Sequence, residues 1–161
     1  MIRMPRIVPV TFGGCTAWLH PGSSRHGVLL CGPLNHEILP LYQSWHALAA
    51  MIAAAGFPVL RFDYDGTGDS LGSDRDPDRV GAWRASVEAA ARFMREELRA
   101  TSLDLVGIRL GATFAALAST ELDFKRLVLI APVISGRAYA REAQARSRLR
   151  RSRVGRSSRS A

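Results

Sequence analysis

The chain has 161 residues, of which 47% are apolar and 22% charged, which suits one domain with a real core and is too apolar for a disordered chain. No uninterrupted apolar run approaches the ~20 residues of a membrane span, the longest being cut by Gly56 and Pro58. The formal charge is +8, but nine Arg and one acid lie from Arg137 onward while residues 1–136 hold 13 basic and 13 acidic side chains, so the folded part is neutral and the tail alone is basic.

The order of elements predicts an α/β fold with a mostly parallel sheet and helices on both faces. Val8 to Phe12 and Thr16 to Leu19, separated by Gly13 and Gly14, read as an antiparallel hairpin, and Gly27 to Cys31 as a buried strand. Leu41, Trp45, Leu48, Ile52 and Ala55 recur at steps of four and three, with Pro40 at the helix start and Gly56 just past its end. Pro58 to Phe62 is the next strand, followed by a Gly/Asp/Ser loop from Asp63 to Pro77. Val80, Trp83, Val87, Met94 and Leu98 form a second helical stripe, entered through Asp76 as cap and Pro77 in the first turn. Leu103 to Val106 is a strand, Leu110 to Thr120 a helix and Arg126 to Ala131 a strand. From 137 to 161 the composition turns to Arg, Ser and Ala, which predicts a disordered tail or a short helix after a domain spanning 1–136.

The sharpest chemical signal is Gly107-Ile108-Arg109-Leu110-Gly111 between a strand and a helix. Small residues two before and two after the apex of such a turn let the backbone pass close to its neighbours while the apex side chain points outward, the geometry of a nucleophile elbow. Here the apex is Arg109, which is protonated at any working pH and has no lone pair with which to attack a carbonyl.

Together with the Cys31-Gly32-Pro33-Leu34 turn and the loop Arg61-Phe62-Asp63-Tyr64-Asp65-Gly66-Thr67-Gly68-Asp69-Ser70, this elbow resembles the N-terminal part of an α/β-hydrolase. More narrowly, the chain is similar to bacterial serine-aminopeptidase-like hydrolases, including exosortase-associated ones in which a G-x-R-x-G elbow also occurs. The resemblance covers roughly Gly27 to Gly136. It implies an incomplete hydrolase fold, because the family's triad acid and histidine come from later strands, where this chain carries its Arg/Ser tail. A frame change or truncation would explain the break. The resemblance further implies oxyanion donors at Leu110 and at Leu34 or its neighbours, Pro33 having no N–H. All four histidines, His20, His26, His36 and His46, precede the elbow, against the family's order of Ser, acid and His.

The remaining candidates follow from individual side chains. Arg109 reads as an anion site or, preferably, as an internal ion pair with Glu37, Asp63 or Asp65. His36 and Glu37 follow the oxyanion-type turn and are pocket candidates with Asp63 and Asp65. Ser70 and Thr113 occupy no turn apex and are not nucleophiles. Asp63-Tyr64-Asp65-Gly66-Thr67 also resembles the first motif of haloacid-dehalogenase-like phosphatases, although Gly68 stands where that family has a large apolar residue. The loop's acidic spacing matches an EF-hand, but a strand precedes it and Asp74 is short for bidentate ligation. Cys15 and Cys31 show no CxxC pairing, and the N-terminal segment, broken by Pro5, Pro9, Gly13 and Gly14, reads as no secretion signal, so no metal, cofactor or disulfide is expected and a cytoplasmic setting is. Expected partners are a small acyl or anionic ligand and, weakly through the tail, nucleic acid.

Overall fold

Short Val- and Leu-rich runs bounded by Gly and Pro become six strands of one sheet in the computed structural model, which describes residues 6–157. They are β1 (Val8–Phe12), β2 (Cys15–His20), β3 (His26–Cys31), β4 (Val59–Phe62), β5 (Ser102–Ile108) and β6 (Arg126–Ile130). The helices are α1 (Ile38–Ala54), α2 (Arg79–Glu96), α3 (Leu110–Ala118) and α4 (Gly136–Ser157), with a short 3-10 turn at Asn35–Glu37. The strand order is β1-β2-β4-β3-β5-β6, antiparallel at β1/β2 and β2/β4 and parallel from β4 through β3 and β5 to β6.

The sheet separates two cores. Val28, Leu30, Val59 and Val106 face Trp45, Ala49 and Ala53 of α1. Leu29, Leu60, Leu103 and Leu105 face Val87, Ala91 and Met94 of α2 and Phe114 and Ala115 of α3. Because β3 continues to β4 on one side and lies beside β5 on the other, the strand order reverses at β3. The crevice at the carboxyl ends of β3 and β5 is therefore the place where such a sheet offers a site.

Two helix starts differ from the sequence reading. Pro40 lies in the first turn of α1 and not at its start, where its missing N–H still breaks no intrahelical bond. The cap of α2 is Asp78, whose Oδ1 accepts the Gly81 N–H at 3.0 Å, whereas Asp76 accepts the Ser73 N–H at 2.7 Å and closes the preceding turn. Both acids are good caps; the loop path decides which one meets the free N–H groups.

At the C-terminal end, the stretch read as a tail or short helix forms the 22-residue α4, rich in the helix formers Ala and Arg. Its first turn is packed on the turn after β3: Tyr139 is 8% exposed and its hydroxyl donates to the Leu34 carbonyl at 3.1 Å. At the sheet edge, all five residues of β6 are exposed, leaving Leu127, Val128, Leu129 and Ile130 beside an unpaired strand edge.

Candidate functional site

The turn from β5 into α3 has the elbow geometry. Arg109 adopts φ 56° and ψ −123°, a region that side chains bearing a Cβ rarely occupy. Its N–H donates to Ile130 O at 2.9 Å and its carbonyl accepts the Ala112 N–H at 3.1 Å. Glycine is required on both sides for lack of space. A Cβ on Gly107 would stand 2.5 Å from the Ala112 Cα, and one on Gly111 would stand 2.8 Å from the Cys31 carbonyl carbon and press into the Cys31 and Gly32 carbonyl oxygens. The first turn of α3 thus lies in backbone contact with the turn after β3.

That contact brings some of the expected residues together. Leu34, fully buried, ends the β3 turn and Leu110 opens α3, so both expected oxyanion donors sit at the ends of adjacent strands. Arg109 Nε donates to Glu37 Oε1 at 2.6 Å, and a second guanidinium nitrogen donates to Ala131 O at 3.3 Å. The Glu37 hydrogen bond holds the guanidinium pKa above its ordinary value. His36 stacks on Tyr139 at 5.9 Å between ring centroids, with both ring nitrogens buried and without a hydrogen-bond partner among the described residues. Beside them lies an open cavity of about 210 Å³ lined by Arg109, Val133, Ile134, Tyr139 and Glu142.

Asp63 and Asp65 do not join this group. Asp63 Oδ2 accepts the Asp69 N–H at 3.0 Å, and Asp65 is paired with Arg79 at 2.8 Å. Among the described residues no three His, Cys, Asp or Glu side chains are grouped to hold a metal ion. Ser70 and Thr113 are occupied structurally: Ser70 Oγ accepts the Thr16 N–H at 2.9 Å and donates to Asp63 O at 2.7 Å, while Thr113 Oγ1 donates to Val133 O at 2.8 Å.

The model of the serine aminopeptidase S33 family matches residues 35–159. The chain belongs to that family. Solved structures agree on the α/β-hydrolase fold. An α/β serine hydrolase without a lid from Xanthomonas campestris superimposes with a TM-score of 0.66 at 22% identity, covering 82% of this chain and 63% of that one. An α/β serine hydrolase homologue from Coxiella burnetii gives 0.61 at 18% identity, covering 87% and 69%. A proline iminopeptidase-related protein from Thermus thermophilus gives 0.57 at 21% identity, covering 79% and 44%. The chain thus spans less than two thirds of the Xanthomonas and Thermus structures. A search of curated protein sequences gives no match. No helix among the described residues is long and apolar enough to cross a membrane.

This S33-family chain contains two polar groupings that the sequence reading did not find. One is a cross-strand line: Ser102 Oγ and His26 Nδ1 lie 2.8 Å apart, and His26 Nε2 lies 3.0 Å from Asp104 Oδ2. It has the residue types of a triad, but these residues start β3 and β5, at the opposite end of the strands from the elbow, and line none of the cavities beside Arg61, Asp65 or Arg109. The β3/β5 register, which pairs His26 with Ser102, is what joins them; residues 76 apart show no local pattern.

The second grouping lies under α1, where the Arg61 Nε donates to His20 Nε2 at 3.0 Å and the His20 and His46 rings are 5.4 Å apart. Burial, with Arg61 and His46 adding, pushes the His20 pKa from 6.5 down to about 4. The folded state keeps this imidazole neutral, whereas the unfolded chain takes up the proton from about pH 6.5 downward. Stability is therefore full above that pH and falls as the pH drops toward 4, by roughly 3 kcal/mol for this group. Urea midpoints across that interval measure the loss, and His20→Gln, which still offers Arg61 an acceptor, is expected to flatten the profile. A wild-type profile already flat there would show that His20 is no source of acid lability.

Proposed function

We propose that this chain keeps the frame of an S33-type hydrolase but does not hydrolyse through its elbow, and that it binds a small acyl or ester-type ligand at the strand ends. The observation that carries the reading is Arg109 at the elbow apex, with its guanidinium on Glu37. A cationic side chain without a lone pair cannot form an acyl-enzyme, and its charge is already met by a carboxylate, so the apex is closed to attack and partly neutralised toward anions. The donors at Leu34 and Leu110 would orient a ligand carbonyl without activating a nucleophile against it. The two cysteines, both buried and free, suit a reducing, cytoplasmic setting.

The test is a fluorophosphonate probe together with activated esters. We expect no labelling and turnover at background for the wild type, and the same for Arg109→Ser, since no imidazole follows the elbow in the chain. Stoichiometric labelling would overturn the reading. Mapped to Ser102, it would transfer the chemistry to the cross-strand line with His26 and Asp104. Turnover by Arg109→Ser alone would show that His36, next to Glu37 in the chain, acts as base. The Arg-rich α4 supports a second, sequence-independent contact with nucleic acid, carried by the charge count of the tail alone.

A further inference from the structure

β6 is the last strand of the sheet: β5 lies on one side, α3 packs on one face, and the other edge is unpaired among the described residues. Leu127, Val128, Leu129 and Ile130 are each between 38% and 46% exposed. Side chains alternate along a strand, so the β5/β6 register puts Leu127 and Leu129 on the α3 face with Leu105, and Val128 on the α1 face with Val106. The backbone groups alternate as well. Ile130 O accepts the Arg109 N–H at 2.9 Å, so Arg126, Val128 and Ile130 turn their N–H and C=O toward β5, while Leu127 and Leu129 turn theirs to the open side. Thr113 Oγ1 donates to Val133 O, just past β6, so the flank of α3 that carries Thr113 and, one turn later, the exposed Leu117 faces this same edge.

Exposed strand edges are normally guarded by a charge, a proline or a bulge. β1, the opposite edge of the sheet, carries Pro9 near its centre, which offers no N–H. β6 has no such guard: it reads Arg-Leu-Val-Leu-Ile, and the guanidinium of its one charged residue, Arg126, lies 3.8 Å from Asp104 on β5. Leu127-Val128-Leu129 also reads the same in both directions, as pairing across a two-fold axis at Val128 requires. An antiparallel second copy would set Leu127 opposite Leu129 of that copy, and Leu129 opposite its Leu127. The outward backbone groups then make four hydrogen bonds, and Val128 meets Val128 of the second copy in the closer, non-hydrogen-bonded pair. Such pairing is isologous and closes at two copies, because Pro9 bars the other edge from extending it.

We propose that β6 is a dimerisation edge, occupied by β6 of a second copy of this chain. The two strands pair antiparallel about Val128, join the two six-stranded sheets into one, and close an apolar strip of Leu117, Leu127 and Leu129 on the α3 face. A five-residue edge with one flanking leucine is smaller than the ~1,600 Å² of a standard interface, so reversible association in the micromolar range is expected. The dimer needs no ligand and no nucleophile at the elbow, and it stands or falls apart from the reading of Arg109.

The experiment is sedimentation velocity of the full chain from about 1 to 100 μM, at high salt so that contacts through the Arg-rich α4 are screened. A monomer–dimer equilibrium is expected. Val128→Lys sets two like charges opposite each other at the axis and is expected to weaken the dimer at least about tenfold, while its urea midpoint at low concentration stays near that of the wild type. Val128→Cys is expected to form an interchain disulfide on mild oxidation, since the Cα atoms of a non-hydrogen-bonded pair lie about 4.5 Å apart. Leu129→Cys is expected to form none, because its counterpart stands two residues further along the second strand, beyond the ~7 Å that a disulfide spans. Should Val128→Lys fail to fold, the two cysteine variants decide. A chain that stays monomeric throughout overturns the assignment and leaves the edge to a strand from another polypeptide. A dimer unchanged by Val128→Lys, equal cross-linking of the two cysteine variants, or species that grow past the dimer with concentration would overturn it as well.

Discussion

Gly111→Ala is expected to lower the stability of the fold by more than about 3 kcal/mol, although helix propensity alone points the other way. Gly111 lies in the first turn of α3, where alanine would ordinarily gain up to about 1 kcal/mol over glycine. At this site the added Cβ meets the carbonyl group of Cys31 and the Gly32 carbonyl oxygen, and these are backbone atoms at the end of a central strand. They cannot retreat without lengthening the β3/β5 ladder, in which Cys31 pairs with Gly107, or breaking the Tyr64 hydroxyl's hydrogen bond to Gly32 O at 3.1 Å. Gly136→Ala at the start of α4 is the control, since no atom lies within 4 Å of its would-be Cβ. Urea unfolding of both variants measures the difference. A Gly111→Ala midpoint within error of the wild type would mean that the two turns are not in contact and that the elbow is looser than described.

Retention on heparin or duplex DNA is expected to disappear when the chain is cut after Ala145. The cut removes seven of the nine tail arginines but leaves Tyr139 and its hydrogen bond to Leu34, so the contact of α4 with the turn after β3 survives. Neutralising several phosphates releases condensed counter-ions, so the intact chain should lose roughly 10³-fold or more in affinity between about 50 and 200 mM salt. No preference among sequences is expected, because phosphate contacts carry none. Retention by the shortened chain would place a basic surface on the neutral part of the molecule, and salt-resistant, sequence-specific binding would contradict the electrostatic account.

Much of the architecture is legible in the chain because it rests on local periodicity. The stripe through Leu41, Trp45, Leu48 and Ile52 and the short runs ending at Cys31, Phe62 and Val106 mark faces that are at least half-buried, although in the structure the centre of the α1 face is Trp45, Ala49 and Ala53 and Ala55 is exposed. The elbow is legible for the same reason: two glycines around an apex between a strand and a helix describe a local backbone constraint, and Arg109 excludes attack by its chemistry alone. Cap choice is less legible, since Asp76 and Asp78 are equally good acceptors and only the path of the loop brings Asp78 to the Gly81 N–H.

Which charges meet is decided elsewhere. Glu37, Asp63 and Asp65 are equivalent partners for Arg109 on paper; the 3-10 turn after β3 delivers Glu37 to it, while the loop after β4 hands Asp65 to Arg79 and Asp63 to the Asp69 N–H. The burial of Tyr139 against Leu34, the His20–Arg61 pair beneath α1 and the Ser102–His26–Asp104 line are likewise absent from any local pattern, being joined across 105, 41 and 76 positions of chain. Composition and periodicity determined the neutral α/β body, the basic C-terminal stretch and an elbow without a nucleophile. Strand order and register decided the partner of Arg109 and set Arg61 against His20, because hydrogen bonds and ion pairs act over a few ångströms and only the sheet brings distant residues within that reach.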